Sequence, residues 1–452
     1  MTLLNELSAE VCQRARMSRD PRFDGRFFVA VKTTGIFCRP ICPANLPKEE
    51  NVEYFSSQAL AVSAGYRPCL RCRPESAPHS WAWKGAETTF LRALTLIEQG
   101  ELDGSLETLA SRLGISDRYL RQLFQRHLGM PPKQYAQIQQ LMFAKQLLHT
   151  SQISITEVAY ASGFQSTRRF NDAFQKLFRL TPTQVRRERA ALPSRNHLSL
   201  AFRGPFDWAH MLDFYRLRAI EGMELVDEQS YQRHFVLGEG TGWFKASMAQ
   251  SHLDIEFEME RLSDLRHLVA RLRRMFDLDA DLISIEAHLE QLAPGLVRRT
   301  GIRIPGVWNA WEAGVRAVLG QQVSVKAAIG QLNLLVFTLA ASEGSTRYFP
   351  TPEQVQMSDL SFLRMPERRK ETLKRLADYV RLHPMDSPMA WLSLSGIGPW
   401  TVDYAQLRGE SRSHCFLTGD LIVKKALAKF PQLTAESVAP WGSYATFHCW
   451  SH

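Results

Sequence analysis

The 452-residue sequence lacks any apolar run long enough to cross a lipid bilayer. Its first residues, Met1 to Glu6, show neither the basic start nor the apolar stretch of a secretory signal peptide. Solenoid-type repeats and extended low-complexity segments are also missing. These absences argue against a membrane, secreted or repeat protein. They favour a cytoplasmic protein. Because the chain is longer than one ordinary domain, its length predicts several domains.

Cysteine is scarce, with seven residues in the whole chain. Four of the seven, Cys38, Cys42, Cys69 and Cys72, follow the spacing C-x3-C, then 26 residues, then C-x2-C. Two close pairs joined by a loop can place four thiolates tetrahedrally around one Zn²⁺, and disulfides are disfavoured in the reducing cytoplasm. The spacing therefore predicts a zinc site. It does not decide whether that site only holds a small domain together or also reacts.

The formal net charge is +9, a moderate basic excess that suits a polyanionic partner. Many basic proteins bind no nucleic acid, so the net charge alone does not identify the binding partner. More specific motifs are needed to assign a partner.

The residues around the cysteines carry such a motif. The segments Phe27 to Pro40 and Ala64 to Pro74 resemble the N-terminal domain of the Ada family of DNA-alkylation response proteins, and the resemblance extends over residues 8–78. It implies a domain at 1–78 that holds one Zn²⁺ on the four cysteines. It also implies that Cys38 irreversibly accepts a methyl group from a methylated DNA phosphate. The neighbouring basic residues are candidates for phosphate contacts: Arg39, Arg67, Arg71 and Arg73.

Two helix-turn-helix patterns follow in residues 85–190. Apolar residues recur at helical spacing on both sides of a glycine turn, first around Gly114 and again around Gly163, and a long helix from Pro132 to His149 joins the two patterns. Ser116 is the predicted N-cap of one second helix. The Gly163-Phe164 pair and the Phe-x3-Phe-x3-Phe run after it resemble the AraC-type DNA-binding domain.

The second helix of each unit offers exposed arginines for DNA contact: Arg118, Arg121, Arg168 and Arg169. The alternative is that these are solvated helix faces. The AraC resemblance implies promoter DNA as a partner and makes RNA polymerase a further candidate.

A second strong motif lies near the C-terminal end. Gly396-Ile397-Gly398-Pro399 reads as a tight hairpin between helices, where backbone N–H groups can bind a DNA phosphate, and Asp420 follows it. This arrangement resembles the helix-hairpin-helix DNA glycosylases. A longer match over about 250 residues resembles the AlkA-type 3-methyladenine DNA glycosylases, through segments that include Ala313 to Ser324 and Trp441 to Ala445. It implies a β-rich domain at 196–283 and a helical core at 284–452.

The resemblance implies roles for individual residues. Asp420 would stabilise the positive charge that develops on the sugar as a flipped-out base leaves, and capping of the following helix is also a physically sound role for its carboxylate. An electron-poor alkylated base would stack on Trp400, Tyr404, Trp450 and Phe214. Gln322 lies at the position that inserts into the minor groove. The remaining expected DNA contacts are Gly396, Gly398, Thr401, Gln321 and Lys424.

Three further absences narrow the chemistry. Trp400 stands where bifunctional glycosylase-lyases of this fold have a Schiff-base lysine, so we expect a monofunctional enzyme that leaves an abasic site. No cysteine cluster follows Asp420, which disfavours an iron–sulfur cluster. The Pro-Cys-His-Arg sequence of O6-methylguanine transferases is missing.

The sequence thus predicts a multidomain α+β protein: a small four-cysteine zinc domain, an all-α double helix-turn-helix domain, a small β-rich domain and an all-α helix-hairpin-helix glycosylase core. The expected function is excision of alkylated purines such as 3-methyladenine, combined with a methyl-phosphotriester acceptor and a transcription regulator. We expect a cytoplasmic, nucleoid-associated protein that binds damaged and promoter duplex DNA and no membrane. One alternative is a methylation-activated regulator whose glycosylase half only binds DNA. Another is an N-terminal half that only recruits the glycosylase to damage.

Overall fold

The computed structural model describes residues 8–451 except 20–22, 57, 70, 73, 75–88, 95, 98–101, 103–104, 188–195, 340–341, 344–345 and 385. The chain divides into two compact units, Met1–Gln139 and Gln140–His452. None of the helices in the described ranges combines the length and the apolar character that a membrane span requires.

The first unit opens with a four-stranded sheet in the order β3-β1-β2-β4. Its elements are α1 (Ala9–Met17), β1 (Phe28–Val31), β2 (Ile36–Cys38), β3 (Val52–Phe55), α2 (Gln58–Ser63) and β4 (Arg67–Pro68). Strands β2 and β4 are parallel, with Phe37 opposite Pro68. The residues that follow these partners, Cys38 and Cys69, therefore leave the sheet at the same end.

The first helix-turn-helix pair completes this unit. Helix α3 (Leu106–Arg112) ends before Gly114, whose φ of +68° is the left-handed conformation that glycine adopts without strain. Helix α4 (Asp117–Leu128) begins at Ser116, which accepts a 3.2 Å hydrogen bond from the Tyr119 N–H and is confirmed as the N-cap. A long helix, α5 (Pro132–Thr150), then runs into the second unit.

The second helix-turn-helix pair belongs to the second unit. Helix α6 (Ile155–Ala161) starts with a capping box between Ser154 and Glu157, and α7 (Thr167–Phe178) starts at the N-cap Ser166. Helix α8 (Pro182–Arg187) follows. The inner face of α7 is apolar and buries phenylalanines, which leaves its arginines on the outer face.

A five-stranded antiparallel sheet in the order β5-β9-β8-β7-β6 comes next. Its strands are β5 (His197–Ala201), β6 (Glu224–Val226), β7 (Ser230–Leu237), β8 (Gly240–Met248) and β9 (His252–Met259). The strands bury alternate residues, as expected for a sheet with one face on a core. Helix α9 (Trp208–Arg216) lies between β5 and β6 in the chain and carries Phe214.

The rest of the second unit is mainly helical. Its helices are α10 (Leu265–Met275), α11 (Leu282–Leu292), α12 (Ala310–Gly320), α13 (Val325–Leu339), α14 (Pro352–Met357), α15 (Glu367–Leu382), α16 (Pro399–Glu410), α17 (Leu421–Leu427) and α18 (Gly442–Trp450). A short hairpin, β10 (Ser342–Glu343) and β11 (Thr346–Arg347), separates α13 from α14. The segment before the glycine hairpin is the 3-10 helix Pro388–Ser393, where the sequence motif had suggested an ordinary helix. The four-domain division of the chain stays a prediction.

Candidate active site and metal centre

The glycine hairpin is packed against α15. Gly396 has φ +94°, and a Cβ there would lie 2.1 Å from Thr372 Oγ1, so both the backbone conformation and the close approach require glycine. Gly398 is the N-cap of α16, and a Cβ built there would meet no atom within 4 Å. One glycine of the hairpin therefore faces the protein and the other faces open space.

The loop between α12 and α13 is tied to this hairpin. The Gln321 side-chain amide donates hydrogen bonds to the Gly396 carbonyl at 3.2 Å and to Thr401 Oγ1 at 3.1 Å. Gln322 is exposed beside it and has φ +56°, a left-handed conformation that is uncommon for residues other than glycine. Gln321 thus fixes the loop, and Gln322 projects from it.

Asp420 is the N-cap of α17. Its Oδ1 accepts hydrogen bonds from the N–H groups of Ile422 at 2.9 Å and Val423 at 3.2 Å, and from Trp450 Nε1 at 3.1 Å. All three hydrogen bonds from the described residues go to Oδ1, and none of them goes to the second oxygen, Oδ2. The carboxylate of Asp420 therefore does cap α17, as considered from the sequence. The capping bonds orient the carboxylate through one oxygen only.

Two concave surfaces meet at this carboxylate. A groove of about 1120 Å³ is lined by both hairpin glycines, Gln321 and Gln322, and it reaches Asp420. An inner cavity of about 430 Å³ is also lined by Asp420. A strand lying in the groove could direct one flipped nucleotide past Asp420 into the cavity.

Aromatic rings line the inner cavity in two stacked pairs. The ring centroids of Trp400 and Tyr404 are 5.3 Å apart with an interplanar angle of 26°, and those of Phe214 and Trp450 are 6.3 Å apart at 15°. The four rings come from α9, α16 and α18, and all of them line the cavity. The structure therefore brings together the four aromatic residues expected in a base pocket.

Arginines back this aromatic lining, a feature that the sequence reasoning missed. The Arg218 guanidinium carbon lies 3.7 Å from the Phe214 ring centroid, and burial lowers the pKa of Arg218 to about 10. Arg408 lies 4.7 Å from the same ring centroid and donates a 3.0 Å hydrogen bond to Tyr404 Oη. The spacing of four residues, from Phe214 to Arg218 and from Tyr404 to Arg408, was the available signal.

Arg316 connects the cavity to a buried ionic network. Its guanidinium lies 2.8 Å from Glu312 and 3.1 Å from Glu224, and it donates a 2.9 Å hydrogen bond to the Arg218 carbonyl. Glu224 is the first residue of the edge strand β6, whereas Glu312 and Arg316 lie on α12. The network therefore joins the sheet to the helical core behind the cavity.

The four motif cysteines of the first unit form one cluster. Their Sγ atoms all lie within 4.8 Å of one another. In a Zn²⁺ site with bonds of about 2.3 Å to sulfur, tetrahedral thiolates are about 3.8 Å apart. The soft donor set and the close spacing fit one Zn²⁺. Cys42, Cys69 and Cys72 are buried, whereas Cys38 is only half-buried and is the ligand most open to a substrate.

The candidate phosphate-binding arginines near this cluster differ in their environment. The Arg39 guanidinium makes a bidentate pair with the buried carboxylate of Asp24, which leaves only part of it for another anion. Arg67 and Arg71 are exposed. Arg73 lies outside the described residues.

The helix-turn-helix arginines are all on exposed faces. Arg118, Arg168 and Arg169 point away from the buried faces of α4 and α7, and Arg121 is exposed while its guanidinium lies 3.0 Å from Asp117. Lys424 is likewise exposed, on α17 next to the groove residue Leu421. These positions are compatible with DNA contact.

Comparison with known sequences covers nearly the whole chain. The family models described as "Metal binding domain of Ada", "Helix-turn-helix domain" and "AlkA N-terminal domain" match residues 11–75, 109–188 and 197–309. The "Probable bifunctional transcriptional activator/DNA repair enzyme AlkA" of Mycobacterium tuberculosis is 34% identical, over 98% of this chain and 96% of its own length.

Two Escherichia coli proteins match separate parts. "DNA-3-methyladenine glycosylase 2" is 33% identical over 56% of this chain and 96% of its own length. "Bifunctional transcriptional activator/DNA repair enzyme Ada" is 35% identical over 38% of this chain and 47% of its own length. The chain therefore combines a region similar to nearly the whole of the glycosylase with a region similar to about half of the Ada protein.

Proposed function

The chain belongs to the family of bifunctional transcriptional activator and DNA repair proteins of the AlkA type, and on that premise we propose that it excises alkylated purines such as 3-methyladenine, with Asp420 as the catalytic carboxylate. The observation that carries this proposal is the position of Asp420 where the groove meets the aromatic cavity. A base can reach such a cavity only by leaving the duplex, and the carboxylate would then lie beside its sugar.

In the proposed reaction, the cationic base stacks on the rings of Trp400, Tyr404, Trp450 and Phe214. The bond between C1′ and the purine nitrogen breaks, and its electron pair goes to the base, which leaves neutral. The sugar becomes oxocarbenium-like, and the negative charge of Asp420 stabilises it. Water then adds to C1′ and releases a proton, which leaves an abasic site.

The groove residues hold the duplex in this proposal. Gly396, Gly398 and Thr401 form the hairpin that binds a phosphate, with Lys424 as a further cation. Gln322 enters the minor groove in the place of the departed nucleotide, while Gln321 keeps its loop on the hairpin. No lysine takes the position of Trp400, so the enzyme does not cut the strand through a Schiff base.

The first unit has a separate methyl-transfer role. Cys38, Cys42, Cys69 and Cys72 would hold one Zn²⁺, which would supply the positive charge that keeps the four sulfurs deprotonated. The Cys38 sulfur attacks the methyl carbon of a methyl phosphotriester. The S–C bond forms as the C–O bond breaks, and the phosphate leaves as a diester anion. The transfer is irreversible in this proposal, so each chain accepts one methyl group.

Methyl transfer also supplies a signal. With Zn²⁺ bound, the four thiolates would give the site a formal charge of −2, and methylation of Cys38 would reduce it to −1, which would weaken the repulsion of DNA phosphates. Arg67, Arg71 and Arg73 then bind the backbone, with Arg39 contributing the part of its guanidinium that Asp24 leaves open. The arginines of α4 and α7 contact promoter DNA. We propose RNA polymerase as the partner of the activated form, in the cytoplasm and at the nucleoid.

The test is release of 3-methyladenine from methylated duplex DNA by the wild-type protein and by Asp420→Asn. We expect release by the wild type and a loss of at least about 100-fold in the variant, because only the charge of the carboxylate is removed. Asn can accept the same three hydrogen bonds through its oxygen, so α17 stays capped.

Duplex binding by the variant is the control and should remain within a few-fold of wild type. Full release by Asp420→Asn would reject the role of this carboxylate. Failure of the wild type to release any base would leave the regulator alternative, in which the glycosylase half only binds DNA.

A further inference from the structure

The groove has a charged wall that is separate from the glycine hairpin. Arg368 and Arg369, in the first turn of α15, line the same 1120 Å³ groove as Gly398 and Asp420. The sequence motifs of the glycosylase core do not include these residues. Their side chains are placed where a DNA backbone that enters the groove would pass.

The two guanidinium groups differ from three of the four other cations of their helix, and the fourth, Lys374, does not line the groove. Lys370, Arg375 and Arg381 each have a carboxylate on α15, at 3.5, 2.8 and 2.8 Å. Among the residues that the structure describes, no carboxylate lies within 4.0 Å of Arg368 or Arg369. Their positive charge is therefore available to an external anion, and duplex DNA presents a dense row of phosphates.

The first turn of α15 is held in a defined position relative to the hairpin. Thr372 donates a 2.9 Å hydrogen bond to the Arg368 carbonyl, and Gly396 packs against the same threonine. The Arg375 guanidinium reaches the Ser395 carbonyl at 3.5 Å. The hairpin and the first turn of α15 are thus held together on one surface, which suits simultaneous contact with one duplex.

We propose that Arg368 and Arg369 form a second phosphate-binding site of the groove, which binds the sugar–phosphate backbone of the damaged duplex in addition to the hairpin. The proposal rests on the glycosylase function above and names further residues for it. These contacts position the duplex over Asp420 and carry no base specificity. They supply a salt-dependent part of the affinity for damaged DNA.

The test uses the full chain under single-turnover conditions, with the enzyme in excess over a short methylated duplex. The initial release of 3-methyladenine is measured against enzyme concentration at several salt concentrations. For the double variant Arg368→Gln/Arg369→Gln, we expect the half-saturating enzyme concentration to rise at least about tenfold at low salt. The slope of log affinity against log salt should fall by about 0.9 for each lost phosphate contact. The maximal release rate should stay within twofold of wild type.

Two further variants make the result specific. Arg381→Gln removes a positive charge from the same helix, about 20 Å away at 1.5 Å per residue, and should leave the slope unchanged. Arg368→Lys/Arg369→Lys should keep most of the slope, because an ammonium group also binds phosphate as a point charge. Restored affinity in the lysine variant would also exclude misfolding as the cause.

The proposal is overturned if the glutamine double variant has the wild-type slope and half-saturation, or if Arg381→Gln has an equal effect. It is also overturned if only the maximal rate falls, since the arginines would then act on chemistry. These results are distinct from failure of the proposed function, in which the wild type itself releases no base.

Discussion

The cysteine cluster takes its four side chains from residues 38–72, whereas the aromatic cavity takes its side chains from segments between Phe214 and Trp450. In the cluster, one parallel strand pair brings the two cysteine pairs together. In the cavity, helices that are far apart in the chain each contribute one or two residues. A metal site can thus be encoded locally, while a base pocket needs a complete helical core behind it.

The two regions also differ in whether each could react more than once. The proposed methyl transfer would use up Cys38, so the cluster would act once, which suits a signal. In the cavity, the carboxylate of Asp420 is held by hydrogen bonds from the Ile422 backbone N–H and from Trp450 Nε1. The proposed reaction leaves this carboxylate unchanged. One chain would therefore record a single backbone methylation and could remove damaged bases many times.

The largest expected effect separates the two regions. Cys38→Ser should abolish methyl transfer from methyl-phosphotriester DNA, because serine at this position provides no thiolate nucleophile. Base release should remain within twofold of wild type. Transfer is measured as labelled methyl bound to protein, with Asp420→Asn as the reciprocal control that keeps transfer and loses release. A Cys38→Ser protein that still takes up methyl groups would show that another cysteine is the acceptor.

The next effect concerns the hairpin. Gly396→Ala places a Cβ 2.1 Å from Thr372 Oγ1 at a φ of +94°, so the hairpin must shift. A displacement of about 1 Å can reduce a reaction by about 100-fold, and we expect a loss of that size in base release. Gly398→Ala is the matched control, since its Cβ meets no atom within 4 Å and its φ is −113°. Equal losses in the two variants would indicate that DNA approach, and not packing against Thr372, requires both glycines.

A smaller and more selective effect is expected in the cavity. Trp400→Ala removes one ring of the Trp400–Tyr404 stack, and a desolvated cation–π contact is worth about 2 kcal/mol. Release of a cationic base should therefore fall about 30-fold, and release of a neutral base such as hypoxanthine should fall less. Both substrates are measured with one protein preparation. A uniform loss on both would show that the ring provides shape alone.

The smallest expected effect is on stability. Burial raises the pKa of Asp277 to about 7 from its ordinary value of 3.8. A carboxyl group with a raised pKa in the folded state binds its proton more tightly there, so its stabilising contribution is complete below about pH 4 and is lost as the pH rises to about 7. Asp277→Asn should therefore raise the thermal midpoint of the second unit more at pH 8 than at pH 5. Asn can still accept the bonds from Ile304 N and Tyr444 Oη. An equal shift at both pH values would mean that Asp277 is ionised in the folded protein throughout.

The sequence was sufficient to predict the elements whose signals are local. Cysteine spacing predicted the metal cluster, and Ser116 was correctly predicted as an N-cap because capping depends on residues within one turn. The four aromatic residues of the cavity came from a family resemblance. Periodicity alone would not distinguish Trp400 or Phe214 from ordinary core residues.

What the sequence did not provide depends on contacts between distant segments. The pairing of Arg39 with Asp24 depends on the fold of the first unit, and the arginines behind the cavity become neighbours only when α9 and α16 pack together. The sequence also could not show that the positive charges of Arg368 and Arg369 are unpaired by carboxylates of the described residues, because that depends on which carboxylates lie nearby in space.

The sequence by itself therefore determined the kinds of elements present, the clustered cysteines and the N-cap position of the carboxylate proposed as catalytic, since caps, spacings and turns act over a few residues. Only the tertiary structure decided that Asp420 joins the groove to the cavity, that Cys38 is the most open ligand and that two arginines of α15 face the groove. Exposure and charge environment are properties of packing, which brings together residues up to hundreds of positions apart.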